Sequence, residues 1–451
     1  MFDPGSFRDP ASRVFHRGDQ IFRSLSREGQ DDWQALRQSE LFRRWSEAGE
    51  LIGTRPSPAE AGILTHDKVP FWSYPYEWSF SMLRSAATMH LRLLEDALTE
   101  GLTLKDATPY NVQFIGSKPV FVDIGSFTKY EPGEPWIGYR QFCRQFLYPL
   151  MVRAHADVSF QPLLRGSLDG ISAETARSLL RGRRATKPGV AADVMLQSRA
   201  EKTMSDSSRN VRNEMSTAGF SAELILTNVR RLKKVVEKTT WDPGQSTWSE
   251  YAGCEHVATQ RGPKEMFVKR VAGNQHRRLV WDLGANDAYF SRSIADLADT
   301  VVAIDGDEAT VDRVFQSLTA DGPDNVLPLL MDLADPSPGL GWRGTERRKL
   351  EDRGLPDLVL LLAVVHHLVI GANLPLAAVI DWIASLNAEV VFEWVPIGDP
   401  MSQRLTANKR RTEVHSDYDE VSFRRYLDGR FEIREELPLE GRRLFHLIPV
   451  S

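Results

Sequence analysis

The chain has almost no cysteine: only Cys143 and Cys254 occur among its 451 residues. They lie far apart and form no C-x-x-C motif, which excludes a disulfide framework and gives no support for a zinc site. We therefore expect both to be small, buried apolar residues.

Long apolar runs are also missing. No stretch approaches the ~18 consecutive apolar residues of a membrane-spanning helix. The N-terminal sequence MFDPGSFRDPASR lacks the positively charged start and apolar core of a secretion signal. We therefore expect a cytoplasmic protein with no membrane partner.

Charge of one sign is not in excess either. The chain has 56 Lys and Arg against 61 Asp and Glu, a formal net charge of -5, with both signs dispersed. This balance does not predict a surface that coats nucleic acid, so nucleic acid is not an expected partner, although it is not excluded as a substrate. The length favours two domains over one, while the oligomeric state is left open.

The N-terminal part predicts an α+β domain. The predicted elements are two short strands within 12–25 that meet at a Gly-Asp turn, a helix at 32–48, a packed aromatic strand and turn at 68–78, and an amphipathic helix at 80–100 that ends at Gly101. The alternative for 68–78 is a surface that stacks a ligand ring.

A possible catalytic motif follows this helix in LKDATPYNVQFIGSKPVFVDIGSF. Asp106 and Asn111 stand five positions apart, and an apolar hairpin then leads to Asp123. This resembles the catalytic and metal loops of protein kinases and aminoglycoside phosphotransferases, where the first Asp orients the hydroxyl nucleophile and the other two residues hold magnesium. A helix-to-hairpin connection without chemistry fits the same layout.

The resemblance to kinases is incomplete. No glycine-rich loop and no V-A-I-K-like lysine precede the motif, and Leu104 stands where kinases have histidine. Phosphates would have no predicted cradle or counter-charge. We therefore favour a kinase-like scaffold or substrate-binding region over an active magnesium- and ATP-dependent phosphotransferase.

The middle of the chain predicts a helical connector. Residues 198–219 are polar without periodicity, and 221–238 form an amphipathic helix with a basic face. That face is expected to be an ordinary solvated surface, with an anionic partner as the alternative. The predicted domains are 1–160 (kinase-like), 161–245 (connector) and 246–451.

The C-terminal part alternates strands and helices. Strands are predicted at 278–283, 300–305, 326–331, 355–365 and 388–395, and a final hairpin at 431–435 and 443–449. Such alternation predicts an α/β fold with a mostly parallel, Rossmann-like sheet whose ligand lies beyond the carboxyl ends of the strands. A closing antiparallel hairpin favours a class I methyltransferase over a dinucleotide dehydrogenase.

The turn after the first strand separates these two classes further. Dinucleotides require G-x-G-x-x-G, which brings a pyrophosphate to a helix N-terminus. The sequence instead has Asp282-Leu-Gly284-Ala-Asn286-Asp287-Ala288, which resembles the D-x-G-x-G-x-G motif of class I methyltransferases, with Asn and Ala in place of the last two glycines. Asparagine tolerates a left-handed backbone, whereas Ala288 places a methyl group where the cofactor usually approaches.

Two more aspartates follow successive strands. Asp305 ends the second strand, from which a carboxylate can accept both ribose hydroxyls of a bound cofactor. Asp332 follows the third strand and matches the methyltransferase residue that contacts the adenine amino group, with the Leu333 amide beside it. Together with Asp282 and Gly284, these residues predict a site for S-adenosylmethionine.

Candidate catalytic residues follow the fourth and fifth strands. His366 and His367 adjoin, and Glu393 ends the fifth strand. A metal site is not expected, because adjacent histidines point apart and no third ligand has suitable spacing. One histidine is expected to act as a base or to orient a nucleophile, paired with Glu393; structural roles remain the alternative.

The resemblance extends over most of the chain. WSYPYEWSFSMLR, GYRQFCRQFLYPL, TWSEYAG and FEWVPIGDPMSQRL, with the motifs above, are similar to a two-part bacterial family of class I methyltransferases, the host-specific nodulation methyltransferase-like proteins. The resemblance implies cofactor binding, with Trp248 and Tyr251 near the pocket. It implies little about the substrate. Our leading hypothesis is methyl transfer to an oxygen or nitrogen of a small molecule, sugar or natural product; a non-catalytic binding protein is the alternative.

Overall fold

A computed structural model describes residues 2–187, 189–196, 221–244, 255–407, 409–410 and 415–450, without the side chains of 196 and 255–260. The chain forms two compact units. The first contains Met1–Phe114, Lys118–Asp242 and Leu340–Arg347, and the second contains Ile115–Ser117, Pro243–Gly339 and Arg348–Ser451. None of the described helices is long and apolar enough to cross a membrane.

The first unit begins with a four-stranded antiparallel sheet in the order β1-β2-β4-β3. Its strands are β1 (Ser12–Arg17), β2 (Gln20–Leu25), β3 (Thr54–Pro56) and β4 (Ile63–His66). The predicted turn between β1 and β2 is confirmed, and Gly18 has the positive φ of 57° that favours glycine.

Two helices replace the single one predicted for 32–48. Helix α1 (Arg27–Gln38) ends at Ser39, whose backbone is extended. The Ser39 hydroxyl accepts a hydrogen bond from the amide of Phe42 and so caps helix α2 (Glu40–Glu47). The single-helix prediction was wrong because the apolar spacing continues across Ser39, which ends α1 and caps the start of α2.

The predicted long helix is confirmed as α3 (Phe80–Thr99), capped by the Ser79 hydroxyl and followed by Gly101 at φ 74°. The predicted hairpin is also present, as β6 (Val112–Ile115) and β7 (Lys118–Phe121). A two-stranded antiparallel pair, β5 (Leu102–Leu104) and β8 (Phe127–Lys129), flanks it.

The remaining helices of the first unit are α4 (Tyr139–Phe142), α5 (Tyr148–Ala156), α6 (Gln161–Gly166), α7 (Ala173–Leu179) and α8 (Ala222–Lys238), with π-helices at Cys143–Leu147 and Val190–Leu196. The basic face of α8 is largely paired within the unit. Arg230 and Lys233 contact Glu95, and Arg231 contacts the buried Asp193. These pairs favour a structural role for that face over an anionic partner.

The second unit is a seven-stranded sheet in the order β11-β10-β9-β12-β13-β15-β14. The strands are β9 (Arg277–Leu283), β10 (Ala298–Asp305), β11 (Val326–Leu330), β12 (Leu358–Leu361), β13 (Glu389–Trp394), β14 (Phe431–Leu439) and β15 (Arg442–Pro449). The first five are parallel, whereas β15 is antiparallel to both β13 and β14. The predicted α/β sheet with a closing hairpin is therefore confirmed.

The described helices of this unit are α9 (Glu255–Ala272), α10 (Tyr289–Ser293), α11 (Glu308–Asp321), α12 (Leu376–Ser385), α13 (Pro400–Thr406) and α14 (Glu420–Leu427). The fourth strand is shorter than predicted, since it ends at Leu361. Ala363 then adopts a positive φ of 54°, and a π-helix follows at His367–Gly371. Apolar continuity alone did not reveal this break.

An uncharged histidine lies inside the first unit. His90, on α3, is fully buried against the rings of Phe121, Trp136, Phe142 and Phe146. Neither ring nitrogen has a hydrogen-bond partner among the described residues. Burial lowers the pKa of His90 to about 3, because the charged form would lose its hydration.

His90 is expected to make the protein acid-sensitive. Its unfolded pKa is near 6.5, so below that pH the unfolded state binds a proton that the folded state excludes, and stability falls until pH reaches about 3. At pH 5 the loss is about 2 kcal/mol. The stability of His90→Phe relative to wild type should therefore rise by that amount between pH 8 and pH 5 in urea unfolding. Exposed His276→Asn is the control, and an unchanged difference for His90→Phe would contradict the prediction.

Candidate functional site

The turn after β9 keeps a left-handed backbone at all three motif positions. Gly284, Asn286 and Ala288 have φ values of 77°, 48° and 55°. Two of these three residues are not glycine, yet the chain follows the path that a glycine-rich turn takes. The expectation that asparagine tolerates this conformation is confirmed.

Gly284 is required by packing as well as by its backbone. A Cβ atom there would lie 2.3 Å from Val364 Cγ2. The amides of Gly284 and Ala285 both donate to the carbonyl of Ile304, at 2.8 and 2.9 Å. The turn is therefore fixed against the end of β10.

Ala288 begins α10 and is fully buried in the hydrophobic core of the second unit. The core therefore accommodates the Ala288 methyl group, and an alanine in place of the last motif glycine is compatible with this turn. Holding alanine in a left-handed conformation costs about 1 kcal/mol, which core packing offsets.

Asp287, whose role the sequence left unexplained, pairs with a cation from α9. Arg261 Nη2 lies 2.7 Å from Asp287 Oδ2, and the Arg261 guanidinium lies 4.1 Å from the centre of the Tyr289 ring. Sequence reasoning missed this contact because 26 positions separate the two charged residues and no local pattern connects them.

Asp282 is buried in β9 and connects the two ends of the turn by a hydrogen bond to α10. Its Oδ2 atom accepts a hydrogen bond of 2.6 Å from the hydroxyl of Ser291, on α10. Burial raises the pKa of Asp282 to about 7, although the Ser291 bond opposes this. The structure thus gives Asp282 a positioning contact, and direct contact with a cofactor stays a prediction.

Asp305 and Asp332 come to the same edge of the sheet. Asp305 Oδ2 accepts from the amide of Asn286 at 2.8 Å, and Oδ1 accepts from the amide of Asp307 at 2.9 Å. Burial raises the pKa of Asp305, while these amides oppose the shift. The amide of Met331 donates to the backbone carbonyl of Asp305. Asp332, which is exposed, is the next residue along the chain and Leu333 adjoins it, so both follow the point where the chain is hydrogen-bonded to Asp305.

The predicted cofactor contacts Trp248 and Tyr251 lie outside the described residues.

The predicted catalytic residues lie beyond β12 and β13. The rings of His366 and His367 have centroids 4.0 Å apart, and His366 is fully buried. Burial lowers the pKa of His366 to about 2 and that of His367 to about 4, and the positive charge of Arg442 adds to both shifts. Both imidazoles are therefore neutral at physiological pH.

Glu393 belongs to a buried row of charges that the sequence did not predict. Its Oε1 atom lies 2.6 Å from Lys264 Nζ and 3.2 Å from Arg442 Nη1. Arg442 Nε in turn lies 2.8 Å from Asp399 Oδ2. Two cations and two carboxylates thus balance one another, because an unpaired charge would be costly in this interior.

The residues of the kinase-like motif, Asp106, Asn111 and Asp123, lie in the first unit. Burial, and the nearby charge of Asp123, raise the pKa of Asp106 to about 6, while the Asn111 Nδ2 atom is buried without a partner among the described residues. Asp123 Oδ1 lies 2.7 Å from Nη1 of Arg23, a buried residue of β2. Sequence reasoning missed this cation because it lies 100 positions away.

Within the described residues, no three His, Cys, Asp or Glu side chains are grouped so that they could hold a metal ion.

The second unit has the Rossmann-like fold of class I methyltransferases: five parallel strands are followed by an antiparallel hairpin, and a left-handed turn joins the first strand to its helix. No family model matches the chain. The chain is 32% identical over 459 residues to the nodulation protein NoeA of Rhizobium meliloti strain 1021, and the alignment spans 99% of this chain and 94% of NoeA. The chain belongs to the family of NoeA.

Solved structures similar to the chain cover less than half of it. The N-methyltransferase NodS from Bradyrhizobium japonicum WM9 matches 44% of this chain and 98% of its own, with 13% identity and a TM-score of 0.31. Its complex with S-adenosyl-L-homocysteine matches 47% of this chain with a TM-score of 0.33. Magnesium protoporphyrin IX methyltransferase from Synechocystis PCC 6803 matches 44% of this chain and 88% of its own, with 20% identity and a TM-score of 0.30.

Gly284→Ala is expected to disrupt the turn. The new methyl group would overlap Val364 Cγ2 at a residue with φ 77°, so we expect a stability loss of about 2–4 kcal/mol. Thermal unfolding measures this loss. Gly262→Ala, in helix α9 with open space around it, is the matched control. Adding Val364→Ala should restore part of the stability, and equal stability of the two Gly→Ala variants would contradict the prediction.

Proposed function

We propose that the protein is an enzyme that transfers a methyl group from S-adenosylmethionine to an oxygen or nitrogen of a small molecule, sugar or natural product. The observation that carries this proposal is the pair of strand-end carboxylates, Asp305 and Asp332, beside the left-handed turn. In open α/β sheets, ligands bind at this edge.

The residues present fit this cofactor. The Asp305 carboxylate accepts from the backbone amides of Asn286, Gly306 and Asp307, and the four lone pairs of its two oxygens leave room for a ribose hydroxyl. Asp332 is exposed and can accept from the adenine amino group, with the amide of Leu333 beside it. Gly284 and Asn286 would line the turn, and Asp282 would hold it in place. Bound S-adenosylmethionine supplies an electrophilic methyl group on a sulfonium.

The chain's own contribution would be to bind and orient the acceptor. Alignment of a nucleophile with the group it attacks can account for much of the rate enhancement. Glu393, held by two cations, offers its Oε2 atom as a hydrogen-bond acceptor for an O–H or N–H group. His366 and His367 are weak bases at the pKa values given above, so we assign them an orienting role rather than that of a general base.

Cofactor binding is tested by calorimetry with S-adenosylmethionine and S-adenosylhomocysteine. Asp305→Asn removes the negative charge and one acceptor oxygen, so we expect at least about tenfold weaker binding, or about 1.4 kcal/mol. Asp299→Asn, at the exposed opposite end of β10, is the matched control and should bind like wild type. Absence of binding to the wild-type protein would remove the proposed function.

For the first unit we propose a scaffolding or substrate-binding role rather than phosphotransfer. Arg23 already neutralises Asp123, the residue that the kinase resemblance assigns to magnesium. We therefore expect no magnesium-dependent binding of ATP to the wild-type protein in a calorimetric titration. Binding that requires magnesium and disappears in Asp123→Ala would instead establish the phosphotransferase alternative.

A further inference from the structure

Helix α9 carries two cations, Arg261 and Lys264, that contact two different parts of the second unit. Residues three positions apart lie on the same side of a helix. Arg261 Nη2 is 2.7 Å from Asp287 Oδ2, in the turn after β9, and Lys264 Nζ is 2.6 Å from Glu393 Oε1, at the end of β13. A single helical turn of α9 thus contacts both the loop after β9, where the cofactor is proposed to bind, and Glu393, where the acceptor is proposed to bind.

The two contacts differ in their burial. The Arg261 and Asp287 side chains are 32% and 45% exposed, whereas those of Lys264 and Glu393 are 10% and 0% exposed. A buried ion pair is held in one geometry, because any displacement leaves a charge without compensation. Lys264 therefore restricts Glu393 far more than Arg261 restricts Asp287.

The charges beyond Glu393 extend to Asp399. Arg442 shares Glu393 Oε1 with Lys264 and binds Asp399 through Nε. Within the described residues, Glu393 Oε2 and both ring nitrogens of His366 are buried without hydrogen-bond partners. Such atoms are rare in folded proteins. An O–H or N–H group of the acceptor could donate to Glu393 Oε2 or to the unprotonated ring nitrogen of His366.

We propose that Lys264 is a positioning residue for methyl transfer: it fixes Glu393 for the acceptor and, through α9 and Arg261, links that carboxylate to the cofactor turn. This inference rests on the proposed function, because the turn must receive S-adenosylmethionine. Occupation of the turn then restrains α9, which further restrains Glu393 and, through Arg442, the segment 393–399. The two sites are thereby coupled through one helix.

Hydrogen exchange of the full-length protein, with and without S-adenosylhomocysteine, tests this coupling. In the wild type the ligand should slow exchange both in α9 and at 393–399. In Lys264→Met the affinity should change by less than about threefold, since Lys264 is not a predicted cofactor contact, but the slowing at 393–399 should be lost. Lys264→Arg should retain it, and Lys269→Met is the matched control, since Lys269 lies on the same helix and pairs with Glu265 at the surface.

Two outcomes would overturn the role of Lys264: the wild type shows no slowing at 393–399, or the slowing at 393–399 persists in Lys264→Met. Because Lys264→Met leaves a buried carboxylate with one cation fewer, Arg261→Gln provides a second variant. This variant breaks the exposed Arg261–Asp287 pair and should also reduce the slowing at 393–399. Failure of the wild type to bind S-adenosylhomocysteine would instead count against the proposed function itself.

Discussion

The left-handed turn from Gly284 to Ala288 is the constraint on which the second unit depends. It must reverse the chain within a few residues and present backbone amides to the end of the neighbouring strand. Its first amides bond to Ile304, and the amide of Asn286 bonds to the Asp305 carboxylate. The two strands β9 and β10 therefore share one hydrogen-bonded edge, and any residue that shifts the turn also shifts the carboxylate proposed to bind ribose. Burial of the Ala288 methyl in the core offsets its unfavourable backbone conformation.

A second constraint acts on the other side of this edge, where four charges are buried in a row. Lys264, Glu393, Arg442 and Asp399 leave no net charge, and each carboxylate has a cation within hydrogen-bonding distance. A hydrophobic cluster would have been a simpler way to fill the same space, and buried ion pairs often stabilise no more than such a replacement. The presence of this charged row is better explained by a requirement for a fixed carboxylate at the site where a polar acceptor is proposed to bind.

In the first unit, a carboxylate of the kinase-like sequence motif is already paired with a cation. Asp106, Asn111 and Asp123 are presented by the same helix-to-hairpin connection that the sequence predicted. Arg23 satisfies Asp123, however, through a contact between β2 and the segment after β7. Near the motif, Arg23 supplies a positive charge that the sequence did not predict. It neutralises Asp123, a carboxylate of the protein itself. The same guanidinium also bonds to the Ser12 hydroxyl, which places it within the packing of the unit.

The sequence by itself determined the positions of the strands of the second unit and its closing hairpin, the position of Asp305 and Asp332 after strands, and the main helix and hairpin of the first unit. These features depend on local periodicity, turn residues and the rule that parallel strands present their carboxyl ends at one edge. The tertiary structure alone decided the break after Leu361, the pairing of Asp287 with Arg261, the Lys264–Glu393–Arg442–Asp399 row and the Arg23–Asp123 pair. Each ion pair joins residues distant in the chain, and periodicity carries no information about which distant charge a folded backbone will bring within hydrogen-bonding distance. The break after Leu361 was hidden because strand and π-helix there are equally apolar.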